Sequence, residues 1–264
     1  MGDIQLSATV AEVYESFFVP ALFAEWPDRV LAAAGVGAGE RVLDVACGTG
    51  ILARTAMARV GAGGEIVGLD LNQGMLDVAR RMAPMIDWRH GRAEALPFAA
   101  ESFDVVVSQF GLMFFQDGTA ALSEMMRVLR PGGRLAIAVW GTLDATPGYA
   151  AMVDLVVRLF GEDMANGLRA PYNLGDTRAL RAELQAAGLP GATIATEVGT
   201  ARFPSIDDWV YTDIRGWVLA DRLDDQQFQR LLHSARHELN SFVGADGTVA
   251  FAAPAHIATA VKHS

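Results

Sequence analysis

The sequence predicts a doubly wound α/β fold with a sheet of about seven strands, and three observations carry that reading. Strand-like apolar runs alternate with helical patterns from residue 41 to residue 140. The run "SFDVVVSQF" is continuously apolar at its centre rather than alternating, as expected of a strand buried on both faces of a parallel sheet. The stretch "RVLDVACGTG", residues 41–50, joins a buried strand to a helix through an acid and a glycine-rich turn.

In chain order, Val10, Val13, Tyr14, Phe17 and Phe18 recur at helical spacing and predict an amphipathic helix over 8–18. A second helical stretch, 21–34, contains Pro27 and should kink or split there. "RVLDVA" is the first strand, and "ILARTAMARV" is the helix after it, ended by "GAGG". "EIVGLDL" is the second strand, followed by the helix "QGMLDVARRMA", which Pro84 stops. "IDWRHG" is a short third strand and "SFDVVVSQF" the fourth. Residues 118–130 should be a helix with Leu122, Met125, Met126 and Leu129 on its buried side. "RPGG" then turns the chain into "RLAIAVW", the fifth strand.

After Trp140 the rhythm loosens. Residues 144–175 read as a connector with one helix near 149–160. "DTRALRAELQAAGL" is a helix stopped at Gly188, and "ATIATEVGTARF" is a long strand. Ser205, with Asp208 three residues on, opens a helix over 206–221. Another helix covers 224–243, and the last strand falls near 247–252. The expected organisation is a lid of N-terminal helices (1–37) and a core (38–203) with an insertion at 144–175. A helical cap insertion (204–243) and the last strand with the C-terminus (244–264) complete it.

Composition narrows the function. The net charge is −10, so the surface repels phosphate backbones and anionic lipid; neither nucleic acid nor a membrane surface is an expected partner. Cys47 is the one cysteine, so no intrachain disulfide forms, which fits a cytoplasmic protein. The residues "MGDIQLSATV" lack the pattern of a signal peptide. The longest apolar stretch, "VVVSQFGLMFF", is too short to span a bilayer.

Ligands of open parallel sheets bind at the carboxyl ends of the strands. Gly48 and Gly50 let backbone approach a ligand there, and the next helix offers free N–H groups. Asp70, 20 residues beyond Gly50, stands where a carboxylate accepts both hydroxyls of a ribose. Gly48, Gly50 and Ala53 even fit the looser dinucleotide fingerprint. Asp44 argues against a dinucleotide: it sets a negative charge where a pyrophosphate would lie and suits a ligand with a positive group.

Four segments in order carry a resemblance: "VLDVACGTG", "IVGLDLNQGML", "GRAEALPFAAESFDVVVSQFGLMFF" and "RVLRPGGRLAIAVW". Over residues 38–140 the chain resembles the class I S-adenosylmethionine-dependent methyltransferases, in the branch that includes the ubiquinone/menaquinone-biosynthesis C-methyltransferases. The resemblance implies a Rossmann-like sheet, mostly parallel with an antiparallel last strand, plus a helical cap. It implies S-adenosylmethionine as cofactor and a small organic acceptor, methylated on oxygen, nitrogen or carbon. By the same resemblance Ala46 to Gly50 would pack on the methionine part, with Asp44 near its ammonium. Asp70 would hold the ribose, and Leu71 and Met75 would line the adenine. Ala93 would meet the adenine edge, and Ser108 and Gln109 would face the sulfonium. Two positions depart from the pattern. Relatives often have glycine at Ala46. They usually have an adenine-binding Asp at Arg92, which has no acceptor and leaves recognition to backbone, Glu94 or stacking.

Acceptor-pocket candidates are Tyr14, Trp140, Trp209, Tyr211 and Trp217. Tyr14 and Trp140 offer rings that could steady a sulfonium. The stripe Ile206, Trp209, Val210, Ile214, Trp217 and Val218 either packs the cap helix or lines the pocket. A base is needed only for an acceptor such as an alcohol, and the candidates are Tyr14, His90, Tyr172, His233 and His237. His233 and His237 stand at ligand spacing without a third ligand, so no metal is expected. A homodimer is compatible with the sequence. The competing classes are a cofactor-binding protein without catalysis and an NAD(P)-dependent oxidoreductase.

Overall fold

A computed structural model describes residues 10–215 and 222–263 of the chain. Its centre is one seven-stranded sheet in the order β3-β2-β1-β4-β5-β7-β6. The strands are β1 Arg41–Val45, β2 Glu65–Asp70, β3 Asp87–His90, β4 Phe103–Gln109, β5 Leu129–Trp140, β6 Thr193–Phe203 and β7 Val249–Val261. The pairs β1–β2, β1–β4, β2–β3 and β4–β5 are parallel. β7 is antiparallel to both β5 and β6. The fold class is therefore the expected one, with the antiparallel strand set between its neighbours rather than at an edge. The strand order reverses between β1 and β4, the switch point at which such sheets hold ligands.

The helices are α1 Val10–Val13, α2 Pro27–Ala33, α3 Ile51–Val60, α4 Gln73–Met82, α5 Gly118–Val128, α6 Pro147–Phe160, α7 Glu162–Arg169, α8 Thr177–Ala186, α9 Ile206–Arg215 and α10 Asp225–Glu238. Every residue of β1 after Arg41 is buried, as are Val105, Val106, Val107 and Ser108 of β4. Such continuous burial leaves neither sheet face to solvent, which is why these strands read as unbroken apolar runs.

Six elements differ from the sequence reading. The N-terminal helix does not stop at 18: α1 passes into wide turns over Tyr14–Phe23, and Ala24 donates to the Val19 carbonyl at 2.8 Å. Pro20 lies inside and lacks the N–H that a regular α-helix would use, and wider turns tolerate the gap. The chain then breaks, and α2 restarts at Pro27, where a missing donor costs nothing.

α5 ends at Val128, so Leu129 is buried in a strand rather than on a helix. "RPGG" is a bulge inside β5. Phe103 pairs with Leu129 but Val105 pairs with Arg134, and Gly132 takes φ +77°. The 144–175 connector contains two helices, α6 and α7, parted by Gly161 at φ +89°. α10 ends at Glu238, with a single tight turn over Asn240–Phe242 beyond it.

The last strand is more than twice as long as expected and ends at Val261. "AAPAHIATAV" hid it, because alanine is a poor strand former and proline usually excludes a central strand. The pairing explains the tolerance. β5 ends at Trp140 opposite Ala255, so Pro254 lies one residue past it; it pairs with Val198 of β6, and on the β5 side its carbonyl accepts from the Gly141 N–H at 2.8 Å, a bond that needs no donor from proline.

The helix expected over 206–221 is described as α9, opened as expected by Ser205, whose Oγ accepts from the Asp208 N–H at 3.1 Å. Trp217 and Val218 lie outside the described residues. Asp224 and Gln227 close a capping box on α10.

Candidate active site

The turn after β1 is set by backbone that few residues adopt. Ala46, Gly48 and Gly50 have φ of +58°, +55° and +87°. Gly50 does not open space for a ligand. A Cβ there would lie 2.3 Å from Trp88 Cη2, so that glycine admits the indole of β3. Asp70, at the end of β2, ties the turn down. Its Oδ2 accepts from Gly48 N–H and its Oδ1 from Asn72 N–H, both at 2.8 Å. Asn72 caps α4 by accepting from Met75 N–H at 3.2 Å.

A cleft of about 460 Å³ opens beside this turn. Ala46, Gly48, Asp70, Leu71, Met75, Ala93, Glu94 and Gln109 all line it, together with Asn72, Arg92, Gln116 and Tyr14. Leu71 is 53% exposed there, an apolar side chain without cover. Asp44, Gly50 and Ser108 were expected in the same site but do not line the cleft. Asp44 lies behind the turn, where Oδ2 accepts from Ala53 N–H at 3.0 Å and Oδ1 has no hydrogen-bond partner. Ser108 Oγ and Gln109 Oε1 are also buried without partners. Burial pushes the Asp44 carboxyl well above the usual range, with Asp70 adding to it. Burial raises Asp70 too, partly offset by its backbone hydrogen bonds.

Arg92 lines the cleft, paired with Glu94 at 3.5 Å and donating to Gln116 Oε1 at 2.9 Å. Glu94 Oε1 in turn accepts from Gln116 N–H at 3.0 Å. The position at which the resemblance implies an acid thus carries a cation, and an acid stands two residues on.

A second, narrower space of about 80 Å³ adjoins the first. Tyr14, Phe110 and Phe114 line both. Its other walls include Phe18, Phe23, Trp140, Tyr149, Leu168, Tyr172 and Asp213. Phe110 takes φ +57° and stacks on Trp140 with ring centroids 3.8 Å apart. A bulky residue at positive φ is strained, and this one stands on the partition between the two spaces.

Of the acceptor-pocket candidates, Tyr14 and Trp140 line this space. Trp209 does not. It is fully buried in a cluster with Tyr149, Phe203, Phe242 and Phe251, so the apolar stripe of α9 packs the helix. Tyr211 lies beside Phe17, at 6.2 Å between ring centroids, outside both spaces.

Of the base candidates, His90, His233 and His237 are exposed and line neither space. Tyr14 and Tyr172 do line the pocket. Burial drives both phenols upward, reinforced by Asp70 at Tyr14 and by Asp213 at Tyr172, and a phenol so raised is a poor base. Among the described residues no cluster of three or more His, Cys, Asp or Glu could hold a metal. Burial also raises the Cys47 thiol, which suits a packed residue rather than a nucleophile.

Sequence reasoning missed Tyr149 and Asp213. Asp213 is 3% exposed, and its Oδ1 accepts from the Tyr149 hydroxyl at 2.9 Å. The signal was present: Asp213 follows Trp209 by four residues and Val210 by three, so it is an acid on the buried face of a helix.

Comparison with known proteins adds to this geometry. Residues 43–137 match the methyltransferase domain family. A demethylmenaquinone methyltransferase of Renibacterium salmoninarum is 46% identical over 113 residues, 43% of this chain and 46% of that protein. The chain spans about half the length of the curated relatives it matches. Beyond that segment the likeness is one of fold. The YcgJ protein of Bacillus subtilis superposes with a TM-score of 0.61 at 20% identity, covering 91% of this chain and 99% of that one. A Haemonchus contortus phosphoethanolamine N-methyltransferase, solved with S-adenosylhomocysteine, gives 0.57 at 19% identity, covering 97% and 58%. The comparisons agree with the four motifs: residues 43–137, which hold most of the cleft, match a methyltransferase domain, and over 91% of its length the chain shares its fold with the YcgJ protein.

Proposed function

We propose that this protein transfers a methyl group from S-adenosylmethionine to a small, largely apolar acceptor. The observation that carries the proposal is the pair of adjoining spaces, a polar-ended cleft at the switch point and an aromatic pocket, which share Tyr14, Phe110 and Phe114. The residues suit the cofactor. Each Asp70 oxygen accepts one backbone N–H and keeps a free lone pair for a ribose hydroxyl. Leu71 and Met75 offer apolar cover for adenine, and Glu94 supplies the acceptor that Arg92 lacks. Asp44 Oδ1, unpartnered behind the turn, leaves an acceptor on the side assigned to an ammonium group.

When bound, the cofactor supplies an electrophilic methyl group on a sulfonium. The chain's own work is to hold the acceptor in line, keep water out and face the cation with ring surfaces. Tyr14 and the Phe110–Trp140 stack are the rings in place for that. We assign the lid to 1–37 and the acceptor's cover jointly to 144–175 and 204–243. Tyr149, Leu168 and Tyr172 come from the first insertion and Asp213 from the second. A cytoplasmic location, from the single cysteine, belongs to the same reading. Among the described residues no helix is long and apolar enough to cross a membrane.

Calorimetric titration with S-adenosylhomocysteine tests this reading. Asp70→Ala should weaken binding by a factor on the order of 10 to 10³, from loss of charge-assisted hydrogen bonds worth roughly 1.5–3 kcal/mol each. An unchanged Kd in a folded variant would remove Asp70 from the site. One observation favours binding without catalysis, namely the cation at Arg92 in place of the usual acid. Formation of S-adenosylhomocysteine during turnover with an extract decides between the two.

A further inference from the structure

We propose that Asp213 is the polar anchor of the aromatic pocket, and that its carboxyl group, only half satisfied by the protein, accepts a hydrogen bond from a hydroxyl or amino group on an otherwise apolar acceptor. The inference rests on the methyltransferase reading only in calling the ligand an acceptor; the pocket chemistry stands on its own. A carboxyl 3% exposed on an apolar helix face needs partners for both oxygens. Tyr149 satisfies Oδ1 at 2.9 Å, and Oδ2 has no hydrogen-bond partner. The Trp209 indole stands beside the carboxyl and favours its charged form, while its Nε1 lacks a close hydrogen-bond partner of its own. The rest of the lining is mostly apolar, including Phe18, Phe23, Trp140 and Leu168. The pocket therefore asks for a body that rings can cover and one protic group for the carboxylate. A second carboxylate in the same space would be repelled.

The titratable groups facing Asp213 are Tyr149 from α6 and Tyr172 from the turn after α7, with Tyr14 across the pocket; β7 contributes Phe251 and Ala253. Burial raises all three phenols, so none of them ionises near neutrality. Asp213 is itself pushed up to about 7 by burial. Its charge state, and with it the pocket's preference, should change across neutral pH.

The test uses the whole chain saturated with S-adenosylhomocysteine, so that the cleft is filled, and titrates phenol, aniline, toluene and benzoate by calorimetry at pH 8.5 and 5.5. Phenol or aniline should bind roughly 10- to 100-fold tighter than toluene at pH 8.5, as expected for a hydrogen bond to a charged group. Benzoate should bind more weakly than toluene. The phenol/aniline ratio tells whether a hydroxyl or an amine suits the carboxylate better. Asp213→Asn should shrink the preference over toluene to a few-fold while leaving S-adenosylhomocysteine affinity unchanged. In the wild type alone, lowering the pH to 5.5 should raise benzoate affinity as the carboxyl protonates, which keeps the test alive if the variant does not fold. Equal binding of phenol, aniline and toluene, failure of all of them to bind, or a preference that survives intact in Asp213→Asn overturns the proposal. A chain that binds no S-adenosylhomocysteine sinks the methyltransferase reading instead, and the four titrations then proceed on the chain alone.

Discussion

Asp213 carries a cost in the folded state that its surroundings only partly offset. Burial raises its carboxyl to about 7, while Tyr149 and Trp209 pull the other way. An acid with a raised folded pKa binds more protons folded than unfolded. Its contribution to stability is therefore greatest below the unfolded value near 3.8 and is lost as pH rises toward 7. Asp213→Asn keeps an acceptor for Tyr149 and removes the charge. Relative to the wild type, the variant should gain stability between pH 4 and pH 8, by up to ~4 kcal/mol. Urea midpoints at the two pH values measure this, and parallel midpoints would mean the carboxyl is not buried.

Ala46 makes a second test at this scale. At φ +58° it holds a conformation that costs an L residue roughly 1–2 kcal/mol. Its Cβ also lies where Gly111 approaches, since a Cβ on Gly111 would come 2.7 Å from it. Ala46→Gly should stabilise by about 0.5–1 kcal/mol, less than the full strain because glycine also frees the unfolded chain. Gly111→Ala should be destabilising, and less so in the Ala46→Gly background, a coupling that a double-mutant cycle reads directly.

Among the elements, those that build the cofactor cleft were legible and those that build the acceptor pocket were not. β1, β2 and β4 are buried on both faces through their centres, so their residue types there are dictated by burial. Their ends carry acids and glycines at spacings that short turns fix. The pocket instead draws Tyr14 from a π-distorted helix, Tyr149 from α6, Leu168 from α7 and Asp213 from α9. No spacing in the chain links those residues; only the tertiary fold brings them together. The Trp209 stripe shows the limit of periodicity, because it identified the buried face without saying whether that face meets core or cavity. Within this division, α7 and the turn over Ala170–Tyr172 should govern the acceptor and not the cofactor. Leu168→Ala, which removes pocket wall, should raise the acceptor's KM several-fold while the cofactor's stays within about twofold. The reverse split would move α7 out of the acceptor site.

At the scale of the whole molecule, the strand nearest the C-terminus sits between two earlier ones. β7 pairs with β5 from Arg134 to Trp140 and with β6 from Thr193 to Phe203. Lys262 continues the tie: its N–H donates to Gly133 and its Nζ reaches the Leu129 carbonyl at 2.6 Å. The sheet therefore cannot be completed until a segment more than 100 residues beyond β5 has inserted, a long-range closure that folds slowly. It also means that, among the described residues, β6 pairs with β7 alone. His256 adds a polar lock, with Nδ1 at 2.8 Å from Thr196 Oγ1 on β6 and Nε2 at 2.8 Å from the Gly175 carbonyl. Phe251, on the same strand, packs against Tyr149 and Trp209, so β7 also supports the wall behind Asp213. Removing 249–264 should therefore do more than shorten an edge. It should expose the long ladders of β5 and β6, abolish cooperative thermal unfolding and lead to aggregation. A chain ending at residue 248 that stays monomeric in sedimentation and still unfolds in one sharp transition would show that the parallel strands β1 to β5 close their core without it.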